Sequence, residues 1–136
     1  MDAATLHAYT QTHYRVLAEQ PFALRIGRHS ARLQSLHAAH HTDCSAFVTA
    51  CNPYSQPWSM ARNSAAHQAL RTRLAQHGWT CLPGYGRHPA GRWPAERSLL
   101  VPGLGLAQAQ ALGTALRQNA LVWAGADAVP RLVLLR

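Results

Sequence analysis

Chemistry in this chain has little ionisable material to draw on. Five carboxylates, Asp2, Glu19, Asp43, Glu96 and Asp127, are spread over 136 residues, too few for a two-carboxylate hydrolytic mechanism or a carboxylate-rich magnesium site. Four of them fall in expected termini, turns or loops, where a solvated charge is the simplest account. Glu96 is different. It stands between Trp93-Pro94 and the apolar Leu99-Leu100-Val101, and apolar surroundings raise a carboxyl pKa toward the range useful to a general acid or base. Its structural use would be a salt bridge to one of thirteen arginines. Side-chain amides supply the other candidates: Asn52, Asn63, Gln118 and Asn119, with Ser55, Ser98 and the ring of Trp93, suit recognition of a polar planar group better than a hydrolytic triad.

Other constellations are weaker. His37, His40, His41 and Cys44 are the nearest approach to a metal set, with His37 and His40 one helical turn apart, but their spacing matches no zinc pattern. Ser55 or Ser98 with His88, or Cys51 with a histidine, would make a nucleophile and base, yet no G-x-S-x-G elbow is present. Gly84-Tyr85-Gly86 is too short for a P-loop or a dinucleotide fingerprint. Neither a cofactor nor a metal is expected.

These residues must be positioned by the stretch Ala46 to Ser55. Phe47 to Cys51 is apolar and β-branched enough for a buried strand, and Pro53 pushes Asn52 out of the helical region, ending the ladder. A helix capped by Ser59 follows, with Asn63, Ala66, Leu70 and Leu74 at helical spacing and Gly78 as its stop. Asn63 is therefore on the buried side, where it needs a polar partner; the Asn52–Ser55 turn is the nearest one in sequence.

Before this stretch come a helix from Ala3 to Gln11, strands at Tyr14–Ala18 and Phe22–Ile26 joined as a hairpin, and a helix capped by Ser30. After it, Trp79–Leu82 is expected as a strand running into a long Gly- and Pro-rich loop from Pro83 to Pro94, a segment of the kind that often carries function. Arg97–Val101 is a strand in which Glu96, Ser98 and Leu100 share one face. Leu106–Arg117 is a helix, and Ala120–Ala124 and Leu132–Leu135 form a final hairpin. The order predicts an α+β fold: a two-layer ferredoxin-like sandwich with a β-α-β-β-α-β core and helices on one sheet face. An N-terminal hairpin, N-terminal helices and a C-terminal strand are additions. The whole chain, 1–136, is one domain, with the N-terminal additions in 1–45 and the core in 46–136.

A hydrophobic share of 48% and a charged share of 13% indicate an ordinary globular core. The formal charge of +8 would suit a polyanion, but every basic residue is Arg and they are scattered, which favours only weak, non-specific nucleic-acid binding. Three cysteines without a C-x-x-C pair, no basic leader and no long apolar stretch point to a cytoplasmic protein that does not enter a membrane.

Laid together, Phe47–Ser55 (FVTACNPYS), Asn63, Gly91–Val101 (GRWPAERSLLV) and Arg117–Trp123 (RQNALVW) resemble an uncharacterised bacterial family, domain-of-unknown-function family 3293, with its T-A-x-N-P-x-S, W-x-E-x-S and Q-N-A blocks. The resemblance runs over nearly the whole chain. It implies that Asn52, Pro53, Ser55, Asn63, Trp93, Glu96, Ser98, Gln118 and Asn119 match the family's polar blocks, and it brings no activity. Cys51 stands where an aromatic residue is usual and Ala95 where a second acid is common; the first makes Cys51 a poor nucleophile, the second weakens any paired-carboxylate scheme.

Two functions are expected to compete. One is a pocket for a small polar ligand, with Glu96 as acid or base, Asn52, Ser55, Asn63, Ser98, Gln118 and Asn119 orienting the ligand and Trp93 stacking on it. The other is a nucleic-acid or protein interaction module using the arginine surface. The sequence decides neither enzyme activity nor oligomeric state.

Overall fold

The computed structural model describes residues 1–91 and 95–136, so the expectation for Trp93 lies outside the described residues. Twelve elements follow one another: α1 (Ala3–Gln11), β1 (His13–Val16), β2 (Phe22–Leu24), α2 (Ala31–Ala39), β3 (Ser45–Val48), a 3-10 turn (Pro53–Ser55), α3 (Met60–Gln76), β4 (Leu82–Arg87), β5 (Glu96–Pro102), α4 (Leu106–Ala115), β6 (Ala120–Ala124) and β7 (Arg131–Leu134). The fold is α+β. All seven strands lie in one antiparallel sheet of order β2-β1-β4-β5-β3-β6-β7, curled into a half-barrel.

β3 is buried along its whole length because β5 and β6 pair with it on both sides. Alternation then sorts its side chains into two cores. Ala46 and Val48, with Leu99 and Val101 of β5, pack under Leu70 and Leu74 of α3 and Ala109 and Leu112 of α4. Phe47 and Leu100 point to the opposite face and join Tyr14, Val16, Leu24 and Leu33 of α2. The core helices α3 and α4 therefore share one face, while α2, one of the N-terminal additions, packs on the other. α2 takes the other side because Leu33 and Leu36 find apolar cover there, against Tyr14, Val16, Leu24 and Phe47.

Helix starts are set by local chemistry. Asp2 accepts from the Thr5 N–H at 2.7 Å, Ser30 from Leu33 at 3.1 Å and Ser59 from Arg62 at 3.2 Å, each satisfying an orphan donor of a first turn. The ends of α2, α3 and α4 are Schellman motifs. In α3, Gly78 takes the left-handed conformation (φ +80°), and the N–H groups of Gly78 and Trp79 reach back to Ala75 and Leu74. α2 and α4 close in the same way with His41 (φ 55°) and Arg117 (φ 56°) in the glycine position.

One segment departs from expectation. Trp79–Leu82 is not a strand beyond its last residue, and Gly84, Tyr85 and Gly86 are not a loop: they form the middle of β4, hydrogen-bonded to β1 on one side and β5 on the other. Trp79 instead packs against the core beneath α3 and α4. The glycines are there for room. A Cβ on Gly84 would run into the Arg15 carbonyl oxygen and sit 2.9 Å from the Phe47 ring, so what reads as turn chemistry is the close approach of two strands around an aromatic side chain.

Candidate functional site

Where the β3 ladder ends, side chains take over from backbone pairing. The Thr49 hydroxyl donates to the Arg97 carbonyl (2.8 Å) and accepts the Cys51 N–H (3.0 Å), tying the chain beyond β3 to the start of β5. The next turn is strained: Asn52, Tyr54 and Ser55 have φ of 47°, 52° and 59°, a left-handed conformation that asparagine tolerates and the other two do not favour. Such clusters persist only where the surroundings over-determine them. Arg117, itself left-handed, holds this one through its carbonyl, which accepts the Tyr54 N–H at 2.7 Å.

Asn52 is the hub. Its N–H donates to Asn63 Oδ1 (2.9 Å); its Oδ1 accepts from the Trp58 N–H (2.8 Å) and Asn63 Nδ2 (2.9 Å); its Nδ2 donates to Glu96 Oε2 (2.8 Å). The polar partner expected for Asn63 is thus the Asn52 turn. Gln118 Nε2 donates to the Cys51 carbonyl at 3.1 Å, and Asn119 Nδ2 to Ser55 Oγ at 2.9 Å. These two come from the end of α4, whose Schellman turn aims them at the same rim. The amides named from sequence therefore converge, but they are largely engaged with one another and with backbone. Ser98, buried on the same face of β5, donates to the Glu96 carbonyl at 3.2 Å.

Beside this network lies a cavity of about 780 Å³, bounded by α1, the Asn52–Ser55 turn, the start of α3 and residues of the sheet such as Tyr14, Phe47, Ser98 and Val122. Asn52, Ser55, Asn63, Glu96, Ser98 and Gln118 all reach its wall; Asn119 is not on it but bonds Ser55, which is. The rest of the lining is mostly apolar or aromatic, including Ala8, Tyr9, Tyr14, Phe47 and Trp58. Tyr9, Tyr14 and Trp58 were not legible as site residues. Tyr9 lies more than forty positions from its partner Ser55, and nothing in α1 announces that contact.

Burial pushes the Glu96 carboxyl above the ordinary glutamate range, and the hydrogen bond from Asn52 opposes this only in part. Burial likewise raises the phenol of Tyr9, which bonds Ser55 and feels the charge of Glu96, and the thiol of Cys51, which is no better a nucleophile here than its sequence context suggests. The sign for Glu96 follows from linkage. A carboxyl whose folded pKa is raised stabilises the fold below its unfolded value of about 4.5 and loses that contribution as pH rises through the folded value. Glu96→Gln removes the titration while keeping an acceptor for Asn52. It should match wild type in urea unfolding at pH 4 and become the more stable of the two as pH approaches 8.

The metal-like set disperses. His37 Nε2 turns inward to Ser45 Oγ at 2.8 Å, the Cys44 thiol points to the Leu104 carbonyl at 3.6 Å, and His41 closes α2. Among the described residues no group of three potential ligands comes together. Nor is any described helix long and apolar enough to cross a membrane.

A curled antiparallel sheet with helices on both faces, carrying an amide and carboxylate network where its central strand ends, defines an α+β protein whose conspicuous polar residues belong to one rim. The chain belongs to the family described as "Protein of unknown function (DUF3293)", whose sequence model matches residues 48–121. That match runs from the end of β3 through Asn119 into β6, so it contains every polar residue of the rim and leaves out α1, β1, β2 and α2. Comparison with curated proteins finds no match, and comparison with solved structures finds none.

Proposed function

We propose that the chain binds, or acts on, a small ligand in the cavity beside Asn52, Asn63, Glu96 and Gln118. The observation that carries this is the state of Glu96: half-buried on the wall of a 780 Å³ space, with one side-chain hydrogen bond among the described residues, that from Asn52. A volume of this size suits a small organic molecule, and an apolar lining with few polar groups is usual for such sites. The ligand is planar, with an apolar or aromatic body against Tyr9, Tyr14, Phe47 and Trp58, and an N–H or O–H group directed at Glu96 Oε1. Asn52 and Asn63 hold the carboxyl in place and Gln118 and Asn119 hold the turn. If chemistry occurs, Glu96, with its raised pKa, is the acid or base.

Within this reading the core, β3-α3-β4-β5-α4-β6, is ferredoxin-like. Its support is the spatial order β4-β5-β3-β6, in which the hairpin strand β5 lies between β3 and β4. The unpaired thiols of Cys44, Cys51 and Cys81 suit a reducing, cytoplasmic setting.

Thermal-shift titration tests the proposal with benzamidine, 2-aminobenzimidazole, adenine and uracil as hydrogen-bond donors on flat rings, and toluene as a ring without a donor. At least one donor compound should raise the midpoint of wild type, and Glu96→Gln should weaken that compound at least tenfold while remaining folded. A panel without effect, or equal binding by wild type and Glu96→Gln, would remove the carboxylate from the function.

A further inference from the structure

The sheet gathers what the sequence scatters. In β1, Tyr14 and Val16 enter the core shared with α2, so His13 and Arg15 point to the opposite face. β4 pairs with β1 so that Arg87 lies beside His13 and Tyr85 beside Arg15, and Arg97 of β5 lies beside Tyr85 in turn. Arg25 follows β2 directly. The His13 imidazole is held below its ordinary range by burial and then by the charges of Arg25, Arg15 and Arg28. A recess of about 280 Å³ opens among His13, Arg15, Tyr85, Arg87 and Pro89.

This stripe is half-buried to exposed, and no ion pair among the described residues neutralises it. The core beneath α3 and α4 takes no residue from β1 or β4, and the ion pair found among the described residues, Arg131 with Asp127, is elsewhere. Glu96 faces the opposite side of β5 from Arg97. The Nε groups of Arg15 and Arg25 are buried without a hydrogen-bond partner among the described residues, and leaving such a donor unsatisfied costs about 1–3 kcal/mol. An anion arriving on this face would recover part of that cost.

We propose that this face binds single-stranded nucleic acid, with phosphates on Arg15, Arg25, Arg87 and Arg97 and a base stacked on Tyr85. The stripe crosses four strands, about 15 Å at the usual interstrand spacing, which is a run of a few nucleotides. A single strand is favoured over a duplex or an anionic membrane because a flat ring sits inside the row of charges, and only an unpaired base uses both. Arg97 also reaches the wall of the Glu96 cavity, whereas His13, Arg15, Arg25, Tyr85 and Arg87 do not line it.

Fluorescence anisotropy with labelled 12-nucleotide oligouridine and oligothymidine tests this. Neutralising about four phosphates on a single strand gives a salt slope near −3, so affinity should fall about 50-fold between 50 and 200 mM KCl. Arg15→Gln/Arg87→Gln should weaken binding at least tenfold and flatten the slope by about 1.4. Arg87→Gln alone, fully on the surface, should lose about threefold, and Tyr85→Leu about fivefold or more with the slope unchanged. Arg32→Gln/Arg136→Gln removes the same charge from α2 and the chain end and should change binding less than twofold. Equal losses from the two double variants would overturn the proposal. So would no binding at 50 mM, or a hairpin duplex or phosphatidylglycerol vesicle bound as tightly as the single strand.

Discussion

Asn52→Ala should cost about 4 kcal/mol of stability, a large loss for one substitution outside the apolar core. Two effects add. The side chain makes three hydrogen bonds, to the Trp58 N–H, to Asn63 Nδ2 and to Glu96 Oε2, and removing it strands partly buried groups on each, at about 1 kcal/mol apiece after allowance for water. Alanine must also adopt φ 47°, ψ 62°, which costs an ordinary residue about 1–2 kcal/mol and asparagine less. Asn52→Gly separates the two: it loses the same bonds without the backbone cost and should be about 1 kcal/mol more stable than Asn52→Ala. Asn52→Asp keeps the acceptor oxygen but sets a second carboxylate against Glu96, so both titrate upward. Its deficit should be small at pH 4 and grow toward pH 8. Urea unfolding of the three variants at pH 4, 6 and 8 measures all of this. A loss below 1 kcal/mol for Asn52→Ala, or identical values for Ala and Gly, would show that the turn is not held in the way described.

That network also shows what the sequence could and could not convey. Asn63 was legible as an inward-facing amide because helical spacing puts it on the stripe of Leu70 and Leu74, and the Asn52 turn was the candidate partner nearest in sequence. Glu96 was legible from its apolar neighbours. Caps were legible because a serine or aspartate acts on an N–H three residues away, within reach of local pattern. Long-range neighbours were not. Tyr9 meets Ser55, and Arg15 meets Tyr85 and Arg87, only because β1 is laid against β4, and no local signal encodes that pairing. Glycine misled for a related reason. In the Pro83–Gly86 segment it marks crowding rather than a turn, while at the ends of α2 and α4, where a turn does need positive φ, His41 and Arg117 stand in its place.

The second large effect tests the crowding directly. Gly84→Ala should destabilise the fold by about 3–5 kcal/mol, because the added methyl meets the Arg15 carbonyl oxygen, which is backbone, and the edge of the Phe47 ring at 2.9 and 3.2 Å. A flexible side chain could swing aside; a paired strand cannot without giving up hydrogen bonds, and a ring packed edge-on to Tyr14 at 5.5 Å between centroids has little room. Gly86→Ala is the internal control. It lies two residues along the same strand and face, but its Cβ would meet Thr12 and Tyr14 at 3.6–3.7 Å, ordinary contact, so it should change stability by less than about 1 kcal/mol. The two variants expose the same composition change to two different spaces, and their difference in thermal midpoint reads how closely β4 approaches β1 and the Phe47 ring. Because Phe47 and Tyr14 also line the cavity while Arg15 and Tyr85 lie on the basic face, any folded Gly84→Ala population should bind both classes of probe less well, and Gly86→Ala should retain the oligonucleotide. Equal midpoints for the two would mean that β4 does not pass so close to β1 and Phe47, and the arginine stripe built on that pairing would lose its geometry.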